Sequence, residues 1–392
     1  MCMMMSRECG SGFWSARLRG DRVFSRSIKC GRGRIPLHNL APMARLSPSI
    51  LLSAVLPIAA AAATLDEALD GIAPDIKKWA AVCVVTERAD GTPEFAWHDY
   101  RGSGDARDFW PASAIKIYAA VAALELLAER GLPLDATLTF EHREGADAWT
   151  VDCARTMREM LGEIFRRSSN EDYTLLLRLV GIDRINTRFL IPEKGFPHSA
   201  LMRGYVLGRP YGYAREEPQR ITLRAGDRTE TVEHTWSGRF YAEERGATVI
   251  DARTGNVTSP RELAECLRRV LFHERLPEAE RYALTPEQIA FLRHGGGGLC
   301  GLENNAADSD PIAWKNALDA VFPKARFFHK CGWISSHALE VAYVDDGAES
   351  GRRFILVPVI AAGDDTRPER GQILVGKMAR AIGEWVRDLP AR

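Results

Sequence analysis

Residues 110–118 (WPASAIKIY) place Ser113 and Lys116 three positions apart, just after a proline and ahead of an Ala/Leu-rich run at residues 119–130. Alanine and leucine favour helix, and Gly131 is a residue type that often ends one. In a helix that begins near Ser113, the two side chains lie one turn apart on the same face. Apolar neighbours would lower the pKa of Lys116, so its amine could act as a base on the Ser113 hydroxyl.

This spacing has two interpretations. The first is a serine nucleophile with a lysine base at a helix N-terminus, where backbone N–H groups and the helix dipole favour negative charge. The second is an ordinary N-cap serine beside a surface lysine, because serine is a preferred N-cap residue. The rest of the chain is needed to choose between them.

The composition is that of a soluble globular protein, with 392 residues, 46% apolar and 27% charged, enough for one large domain or two modest ones. Lys+Arg and Asp+Glu number 52 each, so charge gives no reason to expect binding to nucleic acid or to an anionic membrane surface. The sequence has no H-E-x-x-H, P-loop, dinucleotide fingerprint or Cys/His cluster. We therefore expect neither a metal nor an organic cofactor.

The N-terminal part has the pattern of a targeting segment. Residues 1–42 are rich in Arg and Gly without periodicity, and we predict that they are a non-native or disordered extension. Residues 43–63, which start at Met43, combine a basic residue, a short apolar core and a run of alanines, which is typical of a signal peptide. An uncleaved membrane anchor is the rival interpretation, but Pro48, Pro57 and the short apolar core argue against it. We expect a periplasmic or secreted protein without stable membrane insertion after cleavage.

Export permits disulfides, and an odd number of cysteines follows the signal peptide: Cys83, Cys153, Cys266, Cys300 and Cys331. At least one is therefore unpaired. None has metal-ligand spacing, which favours small buried hydrophobic side chains.

Hydrophobic periodicity predicts strands at both ends of the mature chain and helices between them. The predicted helices are residues 64–79, the run after Ser113, and residues 150–166, 173–180, 258–276, 285–292 and 367–387. The predicted strands are residues 80–86, 94–100, 338–344 and 354–361, with an inserted hairpin at about 205–249 whose arms are 220–223 and 229–236.

Two further polar groups stand out. Ser168 and Asn170 lie between two helical segments, where they could form a turn or N-cap, or could relay a proton and orient a substrate. Lys330 and Gly332 lie where a strand begins. A lysine there can hold an anion or lower a neighbour's pKa, and a glycine lets the backbone approach a ligand closely.

Ser113-x-x-Lys116, Ser168-x-Asn170 and Lys330-x-Gly332, in this order, resemble the three motifs of the penicillin-recognising serine hydrolases, which are S-x-x-K, S-D-N and K-T-G. The segments around them look similar to class A β-lactamases over most of residues 64–392, apart from the 205–249 insert. The resemblance implies an α/β (α+β), β-lactamase/transpeptidase-like fold. In it, an antiparallel sheet from both chain ends is flanked by helices, a central helical subdomain is added, and the active site lies between the two parts.

The resemblance also implies catalytic roles. Ser113 would attack an amide or lactam carbonyl with Lys116 as its base, and Ser168, near Lys330, would pass a proton to the leaving nitrogen. The implied substrate contacts are Asn170, Cys331, Gly332 and Trp333. The backbone N–H groups of Ser113 and Trp333 would form the oxyanion hole.

The sequence departs from the class A pattern in two places. Residues 171–250 contain no E-x-x-x-N, whose glutamate activates the deacylating water, and the nearest glutamates are Glu193, Glu216 and Glu217. Its absence would let an acyl-enzyme persist. Cys331 stands where a hydroxyl residue usually binds the substrate carboxylate, and His337 is the nearest candidate cation.

The sequence thus predicts an exported, monomeric serine hydrolase that cleaves a β-lactam or related small-molecule amide through an acyl-enzyme on Ser113. One alternative is a penicillin-binding-protein-like D-Ala peptidase, or another ester or amide hydrolase of this fold, with a peptidoglycan-derived substrate. The other is a binding module that keeps the cleft with little turnover.

Overall fold

The computed structural model describes residues 63–144, 148–249, 251–303, 313–363 and 368–390. The predicted extension at 1–42 and the predicted signal peptide, except for its last residue, lie outside these ranges. Within them, no helix has the length and apolarity needed to span a membrane.

The described residues form two antiparallel sheets. The strands are β1 (Lys78–Glu87), β2 (Pro93–Asp99), β3 (Thr137–Glu144), β4 (Ala148–Thr156), β5 (Gln219–Ala225), β6 (Arg228–His234), β7 (Arg326–Trp333), β8 (His337–Asp346) and β9 (Arg352–Ala361). One sheet has the order β2-β1-β9-β8-β7 and the other β4-β3-β5-β6. The first sheet confirms that strands from both ends of the chain pair with each other.

Helices occupy the middle of the chain and flank the larger sheet. They are α1 (Leu65–Asp70), α2 (Lys116–Glu129), α3 (Met157–Arg167), α4 (Asn170–Val180), α5 (Ile182–Arg184), α6 (Tyr241–Glu244), α7 (Pro260–Leu271), α8 (Pro286–His294), α9 (Ala313–Asp319) and α10 (Pro368–Asp388). The predicted helices are found, with two exceptions.

The helix predicted at residues 64–79 is wrong in its second half. Thr64 and Glu67 form a capping box that starts α1, but Gly71 ends the helix after six residues. Pro74 follows, and a proline has no N–H for a continuing helix. The chain then enters β1, and the buried residues of this strand account for the apolar positions that follow.

The helix predicted at residues 150–166 is wrong in its first half, which forms β4. Thr156 marks the boundary, because its hydroxyl accepts a hydrogen bond from the N–H of Glu159 and caps α3. Before it, β4 pairs with β3, and Val151 is 57% exposed on this strand. The apolar side chain of Val151 fits one face of a predicted helix, but the pairing of β4 with β3 determines the structure here.

The predicted hairpin is present as β5 and β6. It does not stand apart from the fold, because β5 also pairs with β3, for example Leu223 with Leu138. Both of these leucines are buried. The hairpin therefore completes the smaller sheet.

Apolar clusters cover the larger sheet on both faces. Along β9, Leu356 packs in one cluster with Met378 of α10, whereas its neighbour Val357 packs in the other with Leu263 of α7. This alternation is the two-residue period of a strand. The second cluster also contains α2, which has eleven buried residues in its fourteen and so lies at the centre of the helical part.

Candidate active site

Ser113 lies in the 3₁₀ turn Ala112–Ile115, which leads directly into α2. Ala112 has a φ of +43°, in the left-handed region that a residue with a Cβ rarely adopts. Its carbonyl accepts a hydrogen bond from the Tyr205 hydroxyl at 2.7 Å. Pro111 holds the cap position of the turn, so Ser113 is not an N-cap, and its side chain is partly exposed.

Lys116, the first residue of α2, is fully buried and is not a surface lysine. Its Nζ donates to Asn170 Oδ1 at 2.7 Å and to the Ser168 carbonyl, and lies 3.2 Å from Ser168 Oγ. Burial first, and then repulsion by Lys330, lowers the pKa of Lys116 to about 6. At neutral pH the amine is therefore mostly uncharged and has a lone pair that can accept a proton.

Ser168 and Asn170 lie at the junction of α3 and α4. Ser168 ends α3 with a φ of +55°, and Ser169 caps α4 by accepting the N–H of Asp172 at 3.1 Å. Because Ser169 does the capping, the side chains of Ser168 and Asn170 are left for other contacts. Both face Lys116.

Lys330 approaches the same serine from β7. It is fully buried, and its Nζ donates to Ser168 Oγ at 2.9 Å and to the Cys331 carbonyl at 3.0 Å. The amines of Lys116 and Lys330 thus meet at one hydroxyl, from two elements that are far apart in the sequence.

Gly332 brings β7 against the nucleophile turn. A Cβ at this position would lie 2.7 Å from the Pro111 carbonyl oxygen, 2.8 Å from the Ala114 nitrogen and 3.0 Å from the Ser113 nitrogen. Only a glycine permits this approach, because those atoms belong to the backbone and cannot move aside cheaply. On either side, Cys331 is partly exposed and Trp333 is 47% exposed.

Sequence reasoning missed two tyrosines beside the lysine. The Nζ of Lys116 lies 5.8 Å from the ring centroids of both Tyr173 and Tyr205. Asn256 fastens this region, since its side chain accepts from the backbone N–H of Met202 and donates to the Tyr173 hydroxyl. No motif spacing could have found these residues, because the tyrosines come from α4 and from the long segment before β5.

The three glutamates that the sequence offered for activating the deacylating water are exposed or lie near arginines. Glu193 is exposed in the 3₁₀ turn Pro192–Lys194, and Glu217 pairs with Arg209 at 2.8 Å. Glu216 lies 3.7 Å from Arg215. The structure thus gives none of these three glutamates a contact with Lys116 among the described residues.

His337 starts β8 and shares a hydrogen bond with Ser336 Oγ at 2.9 Å. Burial lowers the pKa of His337, which makes it a poor cation at neutral pH. Of the cysteines after the signal peptide, Cys83 and Cys266 are buried, as expected, and Cys153, Cys300 and Cys331 are partly exposed. In the described ranges, no three His, Cys, Asp or Glu side chains gather as a metal site would require.

Comparisons with known proteins agree with this geometry. The model of a family described as the beta-lactamase enzyme family matches residues 95–288, which contain Ser113, Lys116, Ser168 and Asn170. No curated protein matches the chain at a significant level.

Two solved structures show the fold. A variant of the chromosome-encoded β-lactamase of Vibrio parahaemolyticus has 15% identity and a TM-score of 0.51, covering 82% of this chain and 99% of that one. An ancestral class A β-lactamase has 18% identity and a TM-score of 0.50, with the same coverage of 82% and 99%.

The fold and the matching family model define a β-lactamase-like protein of the serine-hydrolase class. More particularly, residues 95–288 match the model of the beta-lactamase enzyme family, and the described chain has the β-lactamase/transpeptidase fold.

Proposed function

We propose that the chain is an exported serine hydrolase that cleaves a β-lactam or a related amide through an acyl-enzyme on Ser113. The observation that carries the proposal is the meeting of two buried amines at Ser168 Oγ, with Lys116 at 3.2 Å and Lys330 at 2.9 Å. Two buried lysines in contact with one hydroxyl are costly to stability, and a role in a reaction would account for both of them.

The contacts of Ser168 with the two lysines support the following proton path. Lys116 takes the Ser113 proton as Ser113 Oγ bonds to the carbonyl carbon. The carbon–nitrogen bond then breaks, the leaving nitrogen takes the proton of Ser168, and Lys116 returns its proton to Ser168. The charge on Lys330 stabilises negative charge on Ser168 Oγ during this transfer.

Backbone N–H groups would hold the carbonyl oxygen. The contact of Gly332 with the nucleophile turn places the end of β7 beside Ser113. The N–H groups of Ser113 and Trp333 are therefore our candidates for the oxyanion hole. The exposed side chain of Asn170 and the partly exposed Cys331 are candidates for substrate contact.

A second candidate is a penicillin-binding-protein-like D-Ala peptidase that keeps its acyl group when a β-lactam replaces its peptide. It is favoured by the positions of the candidate deacylation glutamates, since Glu193 is exposed, Glu216 lies 3.7 Å from Arg215 and Glu217 pairs with Arg209. A binding module that keeps the cleft with little turnover is the third alternative, and reaction of Ser113 with either probe would count against it.

The test is intact-mass spectrometry after brief and long exposure to a penicillin, with a fluorophosphonate as a second probe. We expect a mass increase in the wild-type chain and none in Ser113→Ala. Ser350→Ala, in the turn before β9, is the matched control and should label like wild type. Labelling that survives in Ser113→Ala would remove Ser113 from the mechanism.

The duration of the adduct separates the first two candidates. An adduct that vanishes within seconds indicates a β-lactamase, and one that stays indicates a penicillin-binding-protein-like acyl trap. Fluorophosphonate labelling without any penicillin adduct would indicate a hydrolase of another ester or amide.

Export and a monomeric state are also part of this proposal. Export rests on the signal-peptide pattern of residues 43–63. Expression of the full chain in a Gram-negative host should give a periplasmic product that starts near residue 64, as N-terminal sequencing would show. A product retained in the cytoplasm at full length would contradict export.

A further inference from the structure

Tyr205 makes two contacts with the proposed machinery that no motif describes. Its ring centroid lies 5.8 Å from Lys116 Nζ, and its hydroxyl donates to the Ala112 carbonyl at 2.7 Å. One side chain therefore contacts the residue before the nucleophile and also the amine that would activate it.

The backbone of Tyr205 is held in place independently. Its N–H donates to Thr174 Oγ1 at 3.0 Å, and Asn256 Oδ1 accepts from the N–H of Arg203, two residues earlier, at 3.1 Å. The ring also lies 4.9 Å from the ring of Tyr173, which is itself fully buried on α4. Because these contacts hold Tyr205 in place, its hydroxyl and its ring can fix the positions of the groups that they touch.

The hydroxyl contact acts on a strained residue. Ala112 has a φ of +43°, an unfavourable conformation that persists only when the surrounding structure holds it. The hydrogen bond from Tyr205 fixes the carbonyl of this residue, so it also fixes the direction in which the chain enters Ser113.

The ring contact acts on the protonation of Lys116. The groups that face this amine and carry or gain charge are Lys330 and Cys331 on β7, and Glu171 and Asp172 on α4. The rings of Tyr173 and Tyr205 also lie near the Lys116 amine. Burial is the largest influence on its pKa, ahead of all these charges.

Two effects of the ring oppose each other. A cation–π contact favours the charged amine, by about one and a half pKa units for a desolvated cation. Exclusion of water favours the neutral amine and reaches about three to five units for a buried lysine. Exclusion of water is the larger effect, so loss of the ring raises the pKa of Lys116.

We propose that Tyr205 is a positioning residue: its hydroxyl sets the Ala112–Ser113 turn and its ring keeps water from Lys116. The part of this inference that concerns the rate of Ser113 labelling rests on the proposed hydrolase function. The part that concerns the protonation of Lys116 does not. Tyr205 itself touches no reacting atom in the scheme.

The test compares three variants of the full mature chain. Tyr205→Phe removes the hydroxyl and keeps the ring, and Tyr205→Ala removes both. Tyr213→Phe makes the same chemical change on a tyrosine of the same segment that packs against His234, so it is the matched control. The rate of Ser113 labelling by a fluorophosphonate is measured from pH 4.5 to 9. Separately, trace labelling with acetic anhydride and peptide mass spectrometry follows the titration of Lys116 itself.

We expect Tyr205→Phe to label roughly three- to tenfold more slowly, as loss of one hydrogen bond predicts, with an unchanged pH midpoint. Tyr205→Ala should move the midpoint of both measurements upward by about one unit or more. The control should match wild type in both measurements.

An unchanged Lys116 titration in Tyr205→Ala overturns the role of the ring, and a wild-type labelling rate in Tyr205→Phe overturns that of the hydroxyl. If Tyr205→Ala does not fold, Tyr205→Gln replaces it, since it fills part of the space but also removes the apolar cover. If the wild-type chain is not labelled at Ser113 at all, the proposed function fails. The anhydride titration of Lys116 still decides the role of the ring in that case.

Discussion

Among single residues, Lys116 depends most on its surroundings. The same side chain on a helix surface would carry a charge at every physiological pH. Here it is the first residue of a buried helix, it faces a second buried lysine, and its pKa falls to about 6. Its ability to act as a base is therefore a property of the packing around it.

The rate of Ser113 labelling should follow this pKa. The amine must be neutral to accept a proton, so the rate should be level above about pH 6 and fall about tenfold for each unit below it. Lys116→Arg, whose side chain stays charged, should remove the plateau. A midpoint near 9 or 10 would show that Lys116 is charged in the working protein and that another group is the base.

We expect Cys331 to govern which substrate is captured, because the family pattern has a hydroxyl at this place in the third motif. A thiol is a weak hydrogen-bond donor. Cys331→Thr should speed acylation by a carboxylate-bearing β-lactam roughly five- to tenfold, the value of one hydrogen bond. Cys300→Thr, at another partly exposed cysteine, is the control, and an equal gain there would make the effect nonspecific.

Among the elements, the contact of β7 with the nucleophile turn assembles the site. The strand carries Lys330 to Ser168 and brings the backbone of Gly332 against residues 111–114. This contact joins the larger sheet to the start of α2, so the helical part and the sheet meet at Ser113.

Gly332→Ala should break that contact. Its Cβ would lie 2.7 to 3.0 Å from three backbone atoms, which must move apart. We expect labelling of Ser113 to fall at least about a hundredfold and stability to drop by roughly 1–3 kcal/mol. Gly71→Ala is the matched control, since its added Cβ meets nothing within 4 Å. Near-normal labelling by Gly332→Ala would show that the strand does not set the geometry of the turn.

At the scale of the whole molecule, a buried acid joins the long segment before β5 to α7. Glu262 is 3% exposed, and it accepts hydrogen bonds from the His198 N–H at 2.8 Å and from the Ser199 hydroxyl. Burial nevertheless raises the pKa of Glu262 to about 7. The folded protein therefore holds a proton there that the unfolded chain, with an ordinary carboxyl, releases near pH 4.5.

Glu262→Gln should make stability less dependent on pH. Because the folded pKa is the higher one, this group's stabilising contribution is complete below about pH 4.5 and is lost as the pH rises through about 7. At pH 8 the variant should be more stable than wild type by roughly 1–3 kcal/mol, and near pH 5 it should be close to it. Urea unfolding at the two pH values is the measurement, with the exposed Glu193→Gln as control. Equal shifts at both pH values would contradict the titration.

Much of the fold could be predicted from local patterns. The apolar runs of β8 and β9 and the Ala/Leu run of α2 gave correct elements, because burial on more than one face leaves a continuous apolar run in the sequence. The errors fell at residues 64–79 and 150–166, where a turn or a strand boundary interrupts an apolar pattern. In the second case, pairing with β3 decided the structure, and a distant strand leaves no trace in local periodicity.

The site, like the fold, could be predicted from the sequence only in part. The order of the three motifs indicated which serines and lysines belong together, because the chemistry needs those residue types and their local spacing survives in the chain. The sequence by itself therefore determined the fold class and the proposed nucleophile, base and relay. The family resemblance already implied that Ser168 lies near Lys330. Only the tertiary structure decided that both lysines are fully buried at this hydroxyl, that two tyrosines cover Lys116, and that Gly332 touches the turn. Burial, a lowered pKa and a close backbone contact arise only when distant segments pack together, so no stretch of sequence contains them.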